Sequence, residues 1–253
     1  MKKFNKPIIV GNWKADIETI KQALSTIKNI DKILTSKKLK KVSYCLAVPE
    51  VFISSLTKIS KYGLIGAQNI TGTESGQQTG QTTPSMLLSS GANFTIIGHS
   101  EVRKVGETDE IISKKVISAL EKKLPVILCI GEEKRDNEGK YISHLEGQLK
   151  KDLHLVKREM LTNLIIAYEP IWAIGARNSA TVHECFETVI AIRRSLSSMF
   201  GIDYAKKVSI LYGGAVDEKN SKNFMNDGGI DGLLVGRASQ EAKKFSSILI
   251  SLK

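Results

Sequence analysis

The stretch Leu164-Ile165-Ile166-Ala167-Tyr168-Glu169-Pro170-Ile171-Trp172-Ala173-Ile174-Gly175 decides how the rest of the chain is read. Its first four residues are apolar without alternation, the pattern of a strand buried on both faces. Such a strand needs cover on each side, and a parallel sheet layered by helices supplies it. Directly behind it stands Glu169, where strand meets loop, with Pro170 fixing the backbone angle that follows. A carboxylate in that place loses part of its water and is a candidate proton carrier.

Seven further runs of the same kind can be found on either side: Ile8-Ile9-Val10, residues 42–48, Leu64-Ile65-Gly66, Phe94-Thr95-Ile96-Ile97, Val126-Ile127-Leu128-Cys129-Ile130, Val208-Ser209-Ile210-Leu211 and Leu233-Leu234-Val235. Their starts lie roughly 22 to 44 residues apart, enough for a helix to return the chain to a parallel neighbour. Helical patterns fill the gaps. Asp16 is read as the N-cap of a helix with Ile17, Ile20, Leu24 and Ile27 on one face, and Thr108 caps a helix carrying Ile111, Ile112, Val116 and Leu120. Thr181 with Glu184 forms a capping box ahead of Phe186, Val189, Ile190 and Leu196.

Alternating strands and helices mean an α/β fold, either an open sheet or a closed barrel. Where the strands end, the chain carries Asn12 and Lys14, Gln68 and Asn69, His99 and Ser100, Glu132, Glu169, Gly213-Gly214 and Gly236. A closed barrel gathers all of these at one rim. An open nucleotide-binding sheet would show a glycine-rich turn after its first strand, but Gly11-Asn12-Trp13-Lys14 has a single glycine. The expectation is therefore a closed eight-stranded parallel (β/α)8 barrel, with residues 1–253 as one domain.

Composition narrows the function classes. The 253 residues are 42% hydrophobic and 25% charged, sufficient for a large core. No apolar run reaches membrane-spanning length and the first residues lack a signal peptide's hydrophobic segment, so a cytoplasmic protein without membrane contact is expected. Cys45, Cys129 and Cys185 are widely spaced and read as buried thiols, not as a disulfide frame or metal site. The net charge of +11 is spread over pairs such as Lys37-Lys38, Lys40-Lys41, Lys206-Lys207 and Lys243-Lys244. No aromatic-interleaved basic groove accompanies them, so nucleic-acid binding is not expected and the excess reads as solvated surface.

The rim residues point to anion chemistry. Lys14 sets a cation beside a partly desolvated site, where its charge counts for more, and Asn12 adds a neutral donor on the same face. His99 seats itself at the start of a short helix, whose positive end opposes a protonated ring, leaving a neutral imidazole able to donate to a carbonyl oxygen. His144, His154 and His183 fall in helical segments and are given no role. Glycine turns at Ile174-Gly175, Tyr212-Gly213-Gly214-Ala215-Val216 and Val235-Gly236-Arg237-Ala238-Ser239 offer backbone amides to a phosphate.

Taken together, Gly11-Asn12-Trp13-Lys14, Gly66-Ala67-Gln68-Asn69, Gly98-His99-Ser100-Glu101, Cys129-Ile130-Gly131-Glu132, Tyr168 to Gly175 and Leu211-Tyr212-Gly213-Gly214 resemble, in order and over nearly the whole chain, the triosephosphate isomerase family. The resemblance implies a TIM barrel that interconverts dihydroxyacetone phosphate and D-glyceraldehyde 3-phosphate through an enediolate, with no metal or organic cofactor. Glu169 would be the base, His99 the electrophile, and Asn12 and Lys14 the oxyanion and phosphate stabilisers, with Glu101 a buried auxiliary carboxylate. Gly175, Ala215, Gly236 and Arg237 would meet the phosphate. Residues 170–180 would form a lid that begins at Pro170, with Trp172 as its rigid lever and Tyr212 and Glu132 as its latches. A homodimer is implied, with Thr79 reaching the neighbour's Asn12 and His99.

The departures from the family pattern carry their own expectations. Ala215 replaces a serine, keeping the amide but losing a hydroxyl that would hold the closed lid. One lost hydrogen bond costs about 0.5 to 1.5 kcal/mol, a threefold to tenfold change in closed-lid population. Arg177 adds a bulky cation at the lid tip, and Arg237 stands where glycine is usual. Gln81 and Val102 replace both halves of a dimer ion pair, so no lone buried charge is left behind. An aldolase-type barrel would need a Schiff-base lysine in a late strand or a metal cluster, and neither pattern is present. A polyanion-binding role for the basic surface would show itself as steeply salt-dependent binding.

Overall fold

The computed structural model describes residues 4–37, 44–73, 76–174 and 180–252. Eight strands, β1 (Ile8–Asn12), β2 (Tyr44–Ala47), β3 (Gly63–Gly66), β4 (Thr95–Ile97), β5 (Val126–Ile130), β6 (Leu164–Tyr168), β7 (Ser209–Tyr212) and β8 (Gly232–Val235), fall within two residues of the expected runs where those are described. Their order is β3-β2-β1-β8-β7-β6-β5-β4, all pairs parallel. The two edge strands meet through a bridge between Ala67 and Thr95, where the Ala67 amide donates to Phe94 O and the Ile96 amide to Ala67 O, each at 3.0 Å. The sheet is thereby closed into a barrel with helices between the strands, as the strand spacing predicts.

Two-residue periodicity divides the strand side chains between two cores. Ile8, Val10, Cys45, Ala47, Leu64, Phe94, Ile96, Ile127, Cys129, Ile165, Ala167, Leu211 and Leu234 fill the barrel interior. Their alternates, among them Ile9, Leu46, Ile65, Ile97, Leu128, Ile166, Ile210 and Leu233, face the helices. Cys45, Cys129 and Cys185 are free and buried, as read. Among the described residues, no helix is long and apolar enough to cross a membrane.

Three local readings are corrected. The first helix runs Ile20–Ser36 with Thr19, not Asp16, as N-cap, because Thr19 and Gln22 close a full capping box while Asp16 is taken by the Gln240 side chain. Ile20, Ile111, Phe186 and Ile190 lie on the exposed side of their helices, although the caps at Thr108 and Thr181 form as expected. His154 lies in a turn beyond the helix Lys140–Asp152, its Nδ1 2.7 Å from Lys151 O.

At the amino end of the barrel, Asp231 gathers the base of β7 and β8. It accepts from Arg193 Nη2 (2.7 Å), Lys6 Nζ (2.6 Å) and the Ile210 amide (2.9 Å). Burial alone would raise its pKa, but the Lys6 hydrogen bond, the Ile210 amide and the charges of Arg193 and Lys6 hold it below the usual carboxylate range. With a lowered folded-state pKa, its contribution is complete above about pH 4 and fades as pH falls through the folded value. Asp231→Ala is expected to cost about 2 kcal/mol, less than a fully buried pair because Arg193 keeps some water. Thermal unfolding at pH 7 should move down by about 4 to 8 °C, and a shift below about 1 °C would remove Asp231 from the account of stability.

Candidate active site

Strand parity places two of the expected residues. The interior row Ile8, Val10 continues as Asn12, and the row Ile165, Ala167 continues as Glu169, so both project into the mouth at the carboxyl end and both are buried. His99 needs a turn to arrive there. Gly98 supplies it with φ +72°, a left-handed angle that glycine adopts without strain, and His99 becomes the N-cap of the helix Ser100–Lys104. Lys14 itself sits at φ +52°, rare for a residue with a side chain. The loop holds it in place, since its amide donates to Asn12 Oδ1 (3.1 Å) and its carbonyl accepts from Gln68 Nε2 (2.9 Å).

The four side chains share one mouth. His99 Nε2 lies 3.0 Å from Glu169 Oε1, while Glu169 Oε2 accepts from the Ser100 amide at 3.0 Å. His99 Nδ1 accepts from the Glu101 amide (3.2 Å), and Glu101 Oε1 accepts from Lys14 Nζ (2.5 Å). Lys14, Glu101, His99 and Glu169 thus form one polar chain across the rim, with Asn12 bound to the Lys14 backbone. Glu101 is 57% exposed and is not the buried carboxylate expected; its carboxylate is held by Lys14 Nζ.

The carboxylate opposite it qualifies the expectation of a neutral His99. Burial opposes a charged ring, but the charge and hydrogen bond of Glu169, followed by the charge of Glu101, outweigh it and lift the pKa above the ordinary histidine value. The Glu101 amide aimed at Nδ1 acts the other way, because it requires an unprotonated nitrogen there. Since the folded pKa is raised, the pair's contribution to stability is fully present below about pH 6.5 and is lost as pH rises through the folded value.

The turn after β8 is docked against the loop after β1. The Trp13 indole, fully buried, donates to Ser239 O (3.1 Å), Gln240 Nε2 reaches Trp13 O (3.3 Å), and Ser239 Oγ donates to Gly236 O (2.7 Å). A Cβ at Gly236 would stand 3.9 Å from Lys14 Cε, so this glycine borders the lysine stem. Arg237 is exposed and, with Lys14 and Lys123 the non-glycine residues of positive φ among those described, needs no left-handed angle. Ala215 is half-buried, with its carbonyl accepting from Asn220 Nδ2 (2.8 Å). Gly213 leaves room for the base, since a Cβ there would lie 3.1 Å from Glu169 Cγ.

Of the lid, residues 175–179 lie outside the described residues, and with them Gly175 and Arg177. Its first segment is anchored: Glu132 Oε1 accepts from Trp172 Nε1 (2.8 Å) and from Tyr168 Oη (2.9 Å), and burial pushes the Glu132 pKa up against those two hydrogen bonds. Pro170 precedes the short turn Ile171–Ala173. Tyr212, stacked on Phe224 at 4.1 Å, is fully buried, and among the described residues its hydroxyl has no partner. Thr79 is exposed on its loop. Sequence reasoning gave no task to Trp13, Gln68, Ser100 or Arg103, all of which hold the mouth together. The first three sit inside the quoted motifs, which was the available signal.

The family model described as Triosephosphate isomerase matches residues 7–252. A triosephosphate isomerase of Clostridium botulinum (strain Loch Maree / Type A3) is 43% identical over 96% of this chain and 98% of its own. One from Thermoanaerobacter sp. (strain X514) is 39% identical over the same shares of the two chains. The crystal structure of triosephosphate isomerase from Bartonella henselae superposes with a TM-score of 0.83 at 31% identity, covering 98% of this chain and 99% of that one. Matches of that extent, on a closed barrel whose rim motifs converge, place the chain in the triosephosphate isomerase family.

Proposed function

We propose that the chain interconverts dihydroxyacetone phosphate and D-glyceraldehyde 3-phosphate, with Glu169 as the base. The observation that carries this reading is the Glu169 carboxylate 3.0 Å from His99 Nε2, in a mouth that Lys14 also borders. Glu169 takes a proton from the carbon beside the substrate carbonyl and returns it to the neighbouring carbon, so no redox partner is needed. The oxyanion formed between these steps is held by His99 Nε2, Asn12 and Lys14. This division of roles is the family's known one. As the substrate carbonyl takes the place of the Glu169 oxygen at Nε2, the influence that lifts the His99 pKa withdraws, and burial with the Glu101 amide leaves the ring neutral.

The phosphate is received by the amides of Gly175, Ala215, Gly236 and Arg237 with Lys14 nearby, and residues 170–180 close over it, excluding water and suppressing phosphate elimination. Trp172 on Glu132 anchors the first segment of the lid, and the Tyr212 hydroxyl, without a partner among the described residues, is available to the closed arrangement. A coupled assay supplying D-glyceraldehyde 3-phosphate tests the proposal: turnover is expected, and its absence from the folded protein would refute the assignment. Arg237→Gly addresses the phosphate turn. If the guanidinium adds charge near the phosphate, KM should rise about threefold, and an unchanged or lower KM would confine Arg237 to the outer surface.

Two copies of the chain associate in this reading. Thr79 is exposed, and the bond from Thr82 Oγ1 to Glu50 Oε2 (2.5 Å) draws its loop against the segment bearing Val51, which is 81% exposed. Met86, in the helix that follows the same loop, is also exposed, and exposed apolar residues of this kind ask for cover. Sedimentation should show a dimer at micromolar concentration; a fully active monomer would contradict it.

A further inference from the structure

Arg103 has no part in the scheme above, yet its guanidinium lies behind His99 and every face of it is engaged. Nε donates to Gly98 O (2.8 Å), the carbonyl of the peptide that leads into His99. Nη2 donates to Cys129 O (3.1 Å) and to Asp152 Oδ2 (2.6 Å), and Nη1 donates to Asp109 Oδ1 (2.7 Å). The side chain is 13% exposed, and a Cβ on Gly98 would come within 3.0 Å of Nη2, so the fork is packed against the turn itself.

These contacts join four places: the end of β4, the end of β5, the start of the helix Asp109–Glu121 and the end of the helix Lys140–Asp152. The Cys129 carbonyl precedes Ile130, whose own carbonyl receives the Glu169 amide at 2.8 Å. One rigid group therefore sets the peptide before the histidine against the neighbouring rim strand, while Ile130, not Arg103, holds the Glu169 amide. Two carboxylates around one guanidinium, with Lys151 Nζ 3.3 Å from Asp109 Oδ2, fix its orientation. Asp152 is fully buried, its Oδ1 has no partner among the described residues, and burial lifts its carboxyl to about 7 despite Arg103. Such a costly buried acid is out of proportion to a surface clamp. A lysine would satisfy the charge but not the fork.

We propose that Arg103 is a positioning residue for the isomerisation, aiming the His99 imidazole by clamping the Gly98 and Cys129 carbonyls. The proposal rests on the reading of His99 as electrophile, so the test is a double-mutant cycle. Arg103→Lys in the otherwise unchanged chain should lower kcat by about 10- to 100-fold with KM changed less than about twofold, since misplacement by about 1 Å costs that much. In a His99→Gln background the same substitution should lower kcat less than about threefold, because nothing is left to aim. Equal losses in both backgrounds, or no loss in either, overturn the proposal. If His99→Gln alone leaves kcat intact, the reading of His99 fails, and the proposal falls with it. Asp152→Asn, which keeps the guanidinium but loosens one anchor, takes the place of Arg103→Lys in the same cycle if that variant does not fold, with a smaller loss in kcat expected and again only where His99 is present.

Discussion

Replacing Glu169 with glutamine is expected to lower kcat by about 10³-fold while KM stays within about threefold. The amide keeps the shape and can still accept from the Ser100 amide, so the fold and the mouth survive. What it cannot do is take a proton from carbon. Its neutral oxygen also ceases to lift the His99 pKa, so the variant separates loss of the base from loss of structure. The fold is expected to survive, with melting lowered below about pH 6.5, where the pairing of Glu169 with His99 contributes. A kcat within tenfold of the unsubstituted chain would mean that some other group carries the proton.

Lys14→Met should produce the second large effect. An ammonium about 4 Å from a developing oxyanion in a partly desolvated mouth contributes about 4 kcal/mol, so kcat/KM should fall by about 10³-fold. Methionine keeps the stem beside Gly236, and the partner left behind, Glu101, is largely exposed and tolerates the loss of its cation. Unlike the Glu169 variant, this one should raise KM as well, since the lysine also opposes the phosphate charge. Steady-state kinetics at fixed ionic strength separates the two parameters. Loss of kcat with KM untouched would restrict Lys14 to the oxyanion.

The fold was legible because parallel strands buried on both faces write themselves as unbroken apolar runs, and Val126–Ile130 matches its run residue for residue. Asn12 and Glu169 were legible for a related reason, since each extends the parity of its strand. Caps were less so: Asp16 and Thr19 both offer an oxygen, and the choice depends on Gln240, more than two hundred residues away. The exposure of Glu101 is not legible, because the motif gives its position but not the direction in which its side chain leaves the short helix. The His99 charge depends on the carboxylate opposite, a contact between residues 99 and 169 that no local pattern contains. Arg103 went unread for the same cause, as its partners lie on four separate elements.

The most direct test of the central claim, that Glu169 carries a proton between two carbons through an enediolate, is isomerisation in deuterium oxide followed by NMR of the product. A carboxylic acid exchanges its proton with solvent, so deuterium should appear on the product carbon that receives it. Product formed without any of that label, at a rate that Glu169→Gln leaves unchanged, would mean that hydrogen moves directly between the carbons, and Glu169 would not be its carrier.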